Sequence, residues 1–134
     1  MIRFYQGRFQ RGLVTVTQNM FDRVGGFTTV SRIVMDFYDR ILDSEKAGDF
    51  FEGVDISKMV DHQTKFISSL MGGPSTHSNE QLRRSHAKLD IDNESFDEMV
   101  DILCGTLKDH NLDAEDIAVI RNELEIRRSL IVIK

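Results

Sequence analysis

The sequence predicts an all-α protein, because apolar residues recur at helical spacing and the chain-breaking residues fall between those stretches. The 134 residues contain one proline, so long segments can continue as helix without interruption. Apolar side chains three and four positions apart indicate amphipathic helices, each with one buried face. The length fits one domain that can bury a core without disulfides or a structural metal.

The charge and the cysteine content narrow the class of protein. The formal net charge is -5 and the pI is about 5.3, and no basic stripe indicates a nucleic-acid partner. Cys104 is the single cysteine, which excludes an internal disulfide framework and suits a reducing compartment. No apolar run has the length of a membrane span. We therefore expect a cytoplasmic protein that is a monomer or a weak dimer.

Residues 1–18 indicate an extension ahead of the domain. They contain no acidic residue, and apolar side chains are interleaved with Arg3, Arg8 and Arg11. A basic, acid-free start could be a targeting or membrane-surface segment. We favour the alternative, a short helix or arm that packs on the domain beginning at residue 19.

The first helix of the domain is expected to be short. Thr17 or Asn19 can cap it, because their side-chain oxygens accept hydrogen bonds from amides of the first turn. Gly25-Gly26 ends it after Val24. Two glycines let the chain turn sharply and let two helices approach closely.

The second predicted helix covers residues 28–42. Tyr38 stands at the edge of its apolar stripe, next to Phe37. A tyrosine there is either a core residue with a satisfied hydroxyl or a hydrogen-bond donor directed into a pocket. The residues alone favour the core position. The stripe consists of Val30, Ile33, Val34, Phe37 and Ile41.

Phe50 and Phe51 precede the central helix, which Asp55 can cap. Two adjacent phenylalanines in a short connection indicate an apolar surface beneath them, which is either the end of the core or a ligand. Gly72-Gly73-Pro74 ends the helix, because glycine relaxes the backbone and proline cannot continue it. Its stripe consists of Met59, Phe66, Ile67 and Leu70, with the polar Gln63 inside it and His62 beside it.

A shorter helix with His86 follows a polar loop, and Ser78 with Gln81 can form its capping box. One imidazole on a short helix, near a longer helix with polar groups in an apolar stripe, suggests a flat cofactor held between them. A lone histidine is more often structural or solvated, so the residues alone leave both alternatives open.

Two further helices complete the domain. Asp92 or Asn93 can cap the first of them, and Asp113 can cap the last. Cys104 lacks a nearby base, so we expect a small buried hydrophobe and not a nucleophile. The apolar residues 130–133 must pack back on the fold or meet a partner chain. The stripes consist of Phe96, Met99, Val100, Leu103 and Leu107, then Ile117, Ile120 and Leu124.

Motifs of other enzyme classes are missing from the sequence. It contains no nucleophile elbow, no P-loop, no HExxH and no paired cysteines. The four histidines do not cluster in sequence as the ligands of a zinc site would. A hydrolase or transferase therefore has little support.

Short motifs follow one another in a characteristic order. They are Gly25-Gly26, Asp36-Phe37-Tyr38-Asp39-Arg40, Phe50-Phe51-Glu52-Gly53, His62-Gln63, Gly72-Gly73-Pro74 and Ser85-His86. In this order and spacing the chain resembles the group I truncated hemoglobins, from about Met20 to the C-terminus. It departs from them in residues 1–18, at His77 in the following loop, and at Met59. The resemblance implies that residues 19–134 form a two-over-two helical sandwich around heme b.

The resemblance also implies roles around the iron. His86 would be the proximal iron ligand, and Tyr38 and Gln63 would donate hydrogen bonds in the distal pocket, which Met59 also borders. His62 would either bind the iron directly from the distal side or stay at the pocket edge.

Cations near the anionic heme propionates would pair with them. Arg84 and Lys58 are the first candidates, and His77 is a further one. The expected heme contacts are Phe50, Phe51, Lys58, Phe66, Leu70, His77, Leu82, Arg84, Ile91, Phe96, Met99 and Leu103.

The function implied by this resemblance is reversible binding of oxygen, nitric oxide and carbon monoxide. Detoxification of nitric oxide, as in a nitric oxide dioxygenase, would need a separate reductase to restore the iron. The alternative is a heme-based redox or gas-sensing module with a six-coordinate resting state and no turnover. A third alternative, a helical interaction protein without a cofactor, predicts a colourless protein.

Overall fold

A computed structural model describes residues 19–45, 48–74, 78–87 and 89–132 of the chain. This part is all-helical and contains no strand, which confirms the predicted fold class. The helices are α1 (Met20–Val24), α2 (Gly26–Leu42), α3 (Ile56–Leu70), α4 (Asn79–Ala87), α5 (Asn93–Asp109), α6 (Ala114–Ile126) and α7 (Arg128–Ile131), with a 3-10 turn at Gly48–Phe51. The predicted extension, residues 1–18, lies outside the described residues, and so does Thr17.

The helices form two packed pairs. The helix α2 packs along α3, α5 packs along α6, and α2 also contacts α5. This is the two-over-two arrangement that the resemblance implies. None of the described helices is long and apolar enough to cross a membrane.

The short helix α1 is fixed to the end of α3. The Asn19 side chain accepts a hydrogen bond from the Asp22 amide at 2.9 Å, as predicted for its cap, and donates one to the Gly72 carbonyl at 2.7 Å. Gly25, with a φ of 115°, makes a left-handed turn directly into α2. The helix α2 therefore begins at Gly26, two residues before the predicted start.

The packed face of α2 is rotated slightly from the predicted one. Tyr38 is only 2% exposed and belongs to the core, whereas Phe37 is half-buried. Tyr38 follows Val34 by one helical turn, and Val34 packs in the core. Tyr38 therefore points inward, nearer the centre of the packed face than predicted, and the core position that the residues alone favour is confirmed.

Local capping signals proved reliable in α3, α4 and α5. The Asp55 carboxylate accepts from the Lys58 amide, and the Asp92 carboxylate accepts from the Ser95 amide at 2.8 Å. The Ser78 amide donates to the Gln81 side chain at 2.9 Å, and the Gln81 amide donates to the Ser78 hydroxyl at 3.1 Å. These contacts confirm the predicted caps.

The C-terminal part differs most from the prediction. Asp113 precedes α6, but its side chain makes no capping hydrogen bond. The helix α6 stops at Ile126, and a separate four-residue helix, α7, follows. The helix α7 packs against α4, and Ile131 is buried. The described apolar residues 130–132 thus pack back on the fold. Cys104 is buried, as predicted.

Candidate functional site

A cavity lies between the helix pairs and contains about 650 Å³ of atom-free space, including its opening. Most of its lining is aliphatic or aromatic, and the polar lining residues in the described part are Tyr38, Gln63 and His86. The other lining residues are Val34, Phe37, Ile41, Phe51, Met59, Phe66, Ile67, Leu89, Ile91, Phe96, Met99, Val100, Leu103, Leu124 and Ile131.

The structure brings together most of the site residues predicted from the sequence. Tyr38, Gln63, Met59 and His86 line this one cavity, and so do the predicted heme contacts Phe51, Phe66, Ile91, Phe96, Met99 and Leu103. These residues come from α2, α3, α4, α5, the 3-10 turn and, for Ile91, the connection before α5. Their predicted contacts with a heme stay predictions.

Other predicted site residues lie outside the cavity lining. Leu70 and Leu82 are buried in the core, and Phe50 is half-buried against it. His62, Lys58 and Arg84 are exposed, and His77 lies outside the described residues.

His86 is held in one tautomer by the backbone of its own helix. Its ring is 8% exposed, and Nδ1 lies 2.9 Å from the Leu82 carbonyl oxygen. A carbonyl can only accept, so Nδ1 carries the proton and donates it, which places the ring's lone pair on Nε2. The Ser85 hydroxyl lies 3.0 Å from Nδ1 and also donates to the Leu82 carbonyl. This is the tautomer and the orientation that a metal-binding histidine needs.

Tyr38 offers an uncharged donor to the cavity. Its ring packs edge-on against Phe51, with ring centres 5.5 Å apart, and it also contacts Phe37. Burial raises the pKa of the Tyr38 phenol well above its ordinary value, so the hydroxyl keeps its proton at physiological pH. Buried tyrosine hydroxyls usually have a hydrogen-bond partner. Within the described chain the Tyr38 hydroxyl makes no hydrogen bond.

Gln63 lies on α3, one turn after Met59, and is half-buried at the cavity. Its amide likewise makes no hydrogen bond to another described residue. Two polar side chains without described partners therefore face an otherwise apolar cavity. They fit a bound group that accepts hydrogen bonds inside the pocket.

Some described arginines and lysines pair with carboxylates, and others, among them the predicted heme contacts Lys58 and Arg84, do not. Arg23, Arg40, Arg121 and Arg128 pair with carboxylates of neighbouring helices or turns. Lys58 and Arg84 make no ion pair with any residue that the structure describes. They stand on α3 and α4, the helices that carry Gln63 and His86. Their charges are compatible with pairing to the acidic groups of a cofactor.

Comparison with known proteins identifies the class. Residues 19–131 match the family of bacterial-like globins. The chain is 30% identical over 103 residues to a group 1 truncated hemoglobin of Synechocystis sp.. The matched segment covers 74% of this chain and 83% of that protein. It is 28% identical over 92 residues to the group 1 truncated hemoglobin of Tetrahymena pyriformis, with 69% of this chain and 76% of that protein covered.

Solved structures give the same result for the fold. The crystal structure of the truncated hemoglobin from Tetrahymena pyriformis in its Fe(III) form superposes with a TM-score of 0.78 at 26% identity. The match covers 87% of this chain and 100% of the Tetrahymena chain.

The chain belongs to the bacterial-like globin family. The relatives it matches are group 1 truncated hemoglobins, which confirms the resemblance stated from its motifs. This family implies a heme-binding globin. The residues present fit the group, because a buried imidazole of the correct tautomer shares an apolar cavity with two hydrogen-bonding side chains.

Proposed function

We propose that this globin holds heme b in the described cavity and binds oxygen and other diatomic gases there. The observation that carries the proposal is His86. It is a buried histidine with Nδ1 bound to the Leu82 carbonyl, and it lines the same cavity as Tyr38 and Gln63. Heme, when bound, supplies the iron that coordinates the gas.

His86 would hold the iron through Nε2. Its Nδ1 hydrogen bond keeps the ring in one orientation and makes it a stronger base. The capping box of α4, formed by Ser78 and Gln81, fixes the start of the helix that carries His86. Contacts within the protein therefore fix the position of the His86 side chain.

Tyr38 and Gln63 would select and retain the gas. Their hydroxyl and amide can donate hydrogen bonds to a polar ligand, with a contribution on the order of 1–3 kcal/mol for such bonds. The apolar lining keeps water from competing for these donors. Lys58 and Arg84 would pair with the heme propionates at the surface.

Consumption of nitric oxide is the finer activity that we propose. It would leave the iron oxidised, so a separate reductase would have to restore the ferrous form. Burial raises the pKa of the Cys104 thiol, which makes it a poor redox donor.

The first test is the absorption spectrum of the reduced, ligand-free protein with heme. We expect the wild-type chain to take up heme and to bind carbon monoxide. His86→Ala should remove the histidine–iron signature, and added imidazole should restore it. His110→Ala is the matched control, since His110 lies outside the cavity lining and binds Asp36.

Two outcomes would contradict the proposal. One is a wild-type protein that takes up no heme, and the other is a His86→Ala protein with an unchanged spectrum. Sharp, split visible bands in the reduced wild type would instead indicate a six-coordinate iron and the redox or sensing alternative. That state requires His62 to turn inward from its exposed position.

A further inference from the structure

We infer that Arg128 is a positioning residue that holds the C-terminal helix α7 in place as a wall of the cavity and a brace for the His86 helix. The inference extends the proposed function to the residues that support the cavity, and it depends on the proposal that the cavity holds heme. No motif in the sequence marks Arg128 for this role. The contacts of its side chain carry the argument.

The Arg128 guanidinium ties three helices together. It donates to the Glu125 carboxylate of α6 at 2.6 and 3.0 Å. It also donates to Asn93 of α5 at 2.9 Å and to the Asp97 carboxylate one turn further on. The start of α7 is thereby fixed to the end of α6 and to the first turns of α5.

The same guanidinium lies over a cavity residue. Its central carbon is 4.4 Å from the ring centre of Phe96, within the distance of a cation–π contact. Phe96 is buried and lines the cavity, and so does Ile131, three residues after Arg128. One cation thus contacts one lining residue directly and holds the helix that presents another.

The helix α7 also supports the helix of the proposed iron ligand. It packs against α4, which carries His86. A helix of four residues cannot persist on its own, because helix nucleation is unfavourable. The position of α7, and with it the support of α4, therefore depends on the contacts that Arg128 and Ile131 make.

We expect Arg128 to determine the position of α7 and to contribute little to the free energy of unfolding of the whole chain. Its carboxylate partners Asp97 and Glu125 are 60% and 56% exposed, and exposed ion pairs contribute little to the free energy of unfolding. Arg121 gives a matched comparison, because it pairs with Asp101 of the same helix α5. Neither Arg121 nor Asp101 lines the cavity.

The experiment compares Arg128→Gln, Arg128→Lys and Arg121→Gln in the protein reconstituted with heme. The rate of heme transfer to an excess of apomyoglobin should rise on the order of tenfold in Arg128→Gln, the lower end for loss of a residue that supports a metal ligand. The histidine–iron stretching frequency should shift or broaden. Arg128→Lys should not restore either value, because an ammonium cannot reproduce the planar fork. Arg121→Gln should match the wild type.

Hydrogen exchange of the heme-free chain separates this inference from the proposed function. In Arg128→Gln, amides of α4 and α7 should exchange faster, while those of α2 should not change. This result can be obtained even if the wild type binds no heme. Equal heme loss and equal exchange in Arg128→Gln and Arg121→Gln would overturn the inference. If Arg128→Gln does not fold, Asp97→Asn should show a smaller change in the same direction, and no change would also overturn it.

Discussion

Two of the walls of the cavity, formed by α2–α3 and by α4–α7, differ in how their polar side chains are hydrogen-bonded. The α2–α3 wall carries Tyr38 and Gln63, whose side-chain polar atoms make no hydrogen bond to another described residue. The α4–α7 wall carries His86, whose Nδ1 is bound to a backbone carbonyl, and is closed by Arg128 with its several acceptors. The donors of the α2–α3 wall are available to a ligand. The hydrogen bonds of the α4–α7 wall instead hold His86 in a fixed orientation.

The walls also differ in what stabilises them. The helices α2 and α3 have 17 and 15 residues and bury continuous apolar stripes against each other. The helices α4 and α7 have 9 and 4 residues and depend on a capping box, ion pairs and contact with each other. Short elements with few buried contacts open at lower free energy than the global unfolding. We therefore expect the α4–α7 wall to be the first to open.

Matched isoleucine substitutions give the largest expected effect. Ile33→Ala in α2, at a fully buried site, should lower the free energy of unfolding by about 2–5 kcal/mol. Ile131→Ala in α7 should cost less, because a terminal four-residue helix can relax around the cavity. Urea unfolding of both variants, followed by circular dichroism, measures the difference. Equal losses would contradict the expectation that α7 relaxes around the cavity.

Removal of the Tyr38 hydroxyl gives the next effect. In Tyr38→Phe, oxygen should dissociate about ten- to a hundredfold faster, since a hydrogen bond of about 1–3 kcal/mol is lost. The free energy of unfolding should stay within about 0.5 kcal/mol of the wild type, because the hydroxyl has no described partner. Stopped-flow dissociation and urea unfolding measure the two quantities.

Ser57→Ala is the control for this substitution, because it removes an exposed hydroxyl of α3 that does not line the cavity. It should change neither quantity. An unchanged oxygen dissociation rate in a folded Tyr38→Phe protein would remove Tyr38 from the ligand-binding role. A large loss of stability would mean that its hydroxyl has a structural partner.

The sequence predicts features that depend on a few neighbouring residues. The caps at Asn19, Asp55, Ser78 and Asp92 follow from short-range hydrogen bonds, and the stripes follow from helical spacing. Tyr38, Gln63 and His86 meet in one cavity because they occur on such helices in the expected order. The resemblance supplied their roles, since spacing alone left the tyrosine and the histidine open.

Features that depend on how distant helices cross were missed. Leu124 and Ile131 line the cavity although they lie far along the chain from the motifs. Arg128 looks like one surface cation among many until α5, α6 and α7 are assembled. The apolar residues near the C-terminus predicted a buried segment, but the sequence did not indicate which surface they would pack against.

The smallest expected effect tests the charged connection that holds the α2–α3 wall to the rest of the fold. Asp36 of α2 pairs with Arg40 at 3.0 Å and with His110, the residue that follows α5, at 3.1 Å. Arg40 also reaches Asp109 at 2.9 Å. These contacts lie outside the cavity and join α2 to the end of α5.

Acid should weaken this connection in a defined pH range. Hydrogen bonds from Arg40 and then His110 lower the pKa of Asp36 below its ordinary value in the folded chain. The stabilisation is therefore complete above the unfolded pKa of about 3.9 and is lost as the pH falls through the lower folded value. Asp36→Asn should be less stable than the wild type at pH 6, and the gap should close below about pH 4.

Urea unfolding at a series of pH values measures the gap between the two proteins. Asp61→Asn is the control, because Asp61 pairs only within the exposed face of α3, with Lys65. A gap for Asp36→Asn that persists unchanged into strong acid would mean that the substitution acts through packing. If the gap closes while the oxygen dissociation rate stays constant, the connection supports α2 without setting the position of Tyr38, and the donor of the α2–α3 wall is held by its apolar packing.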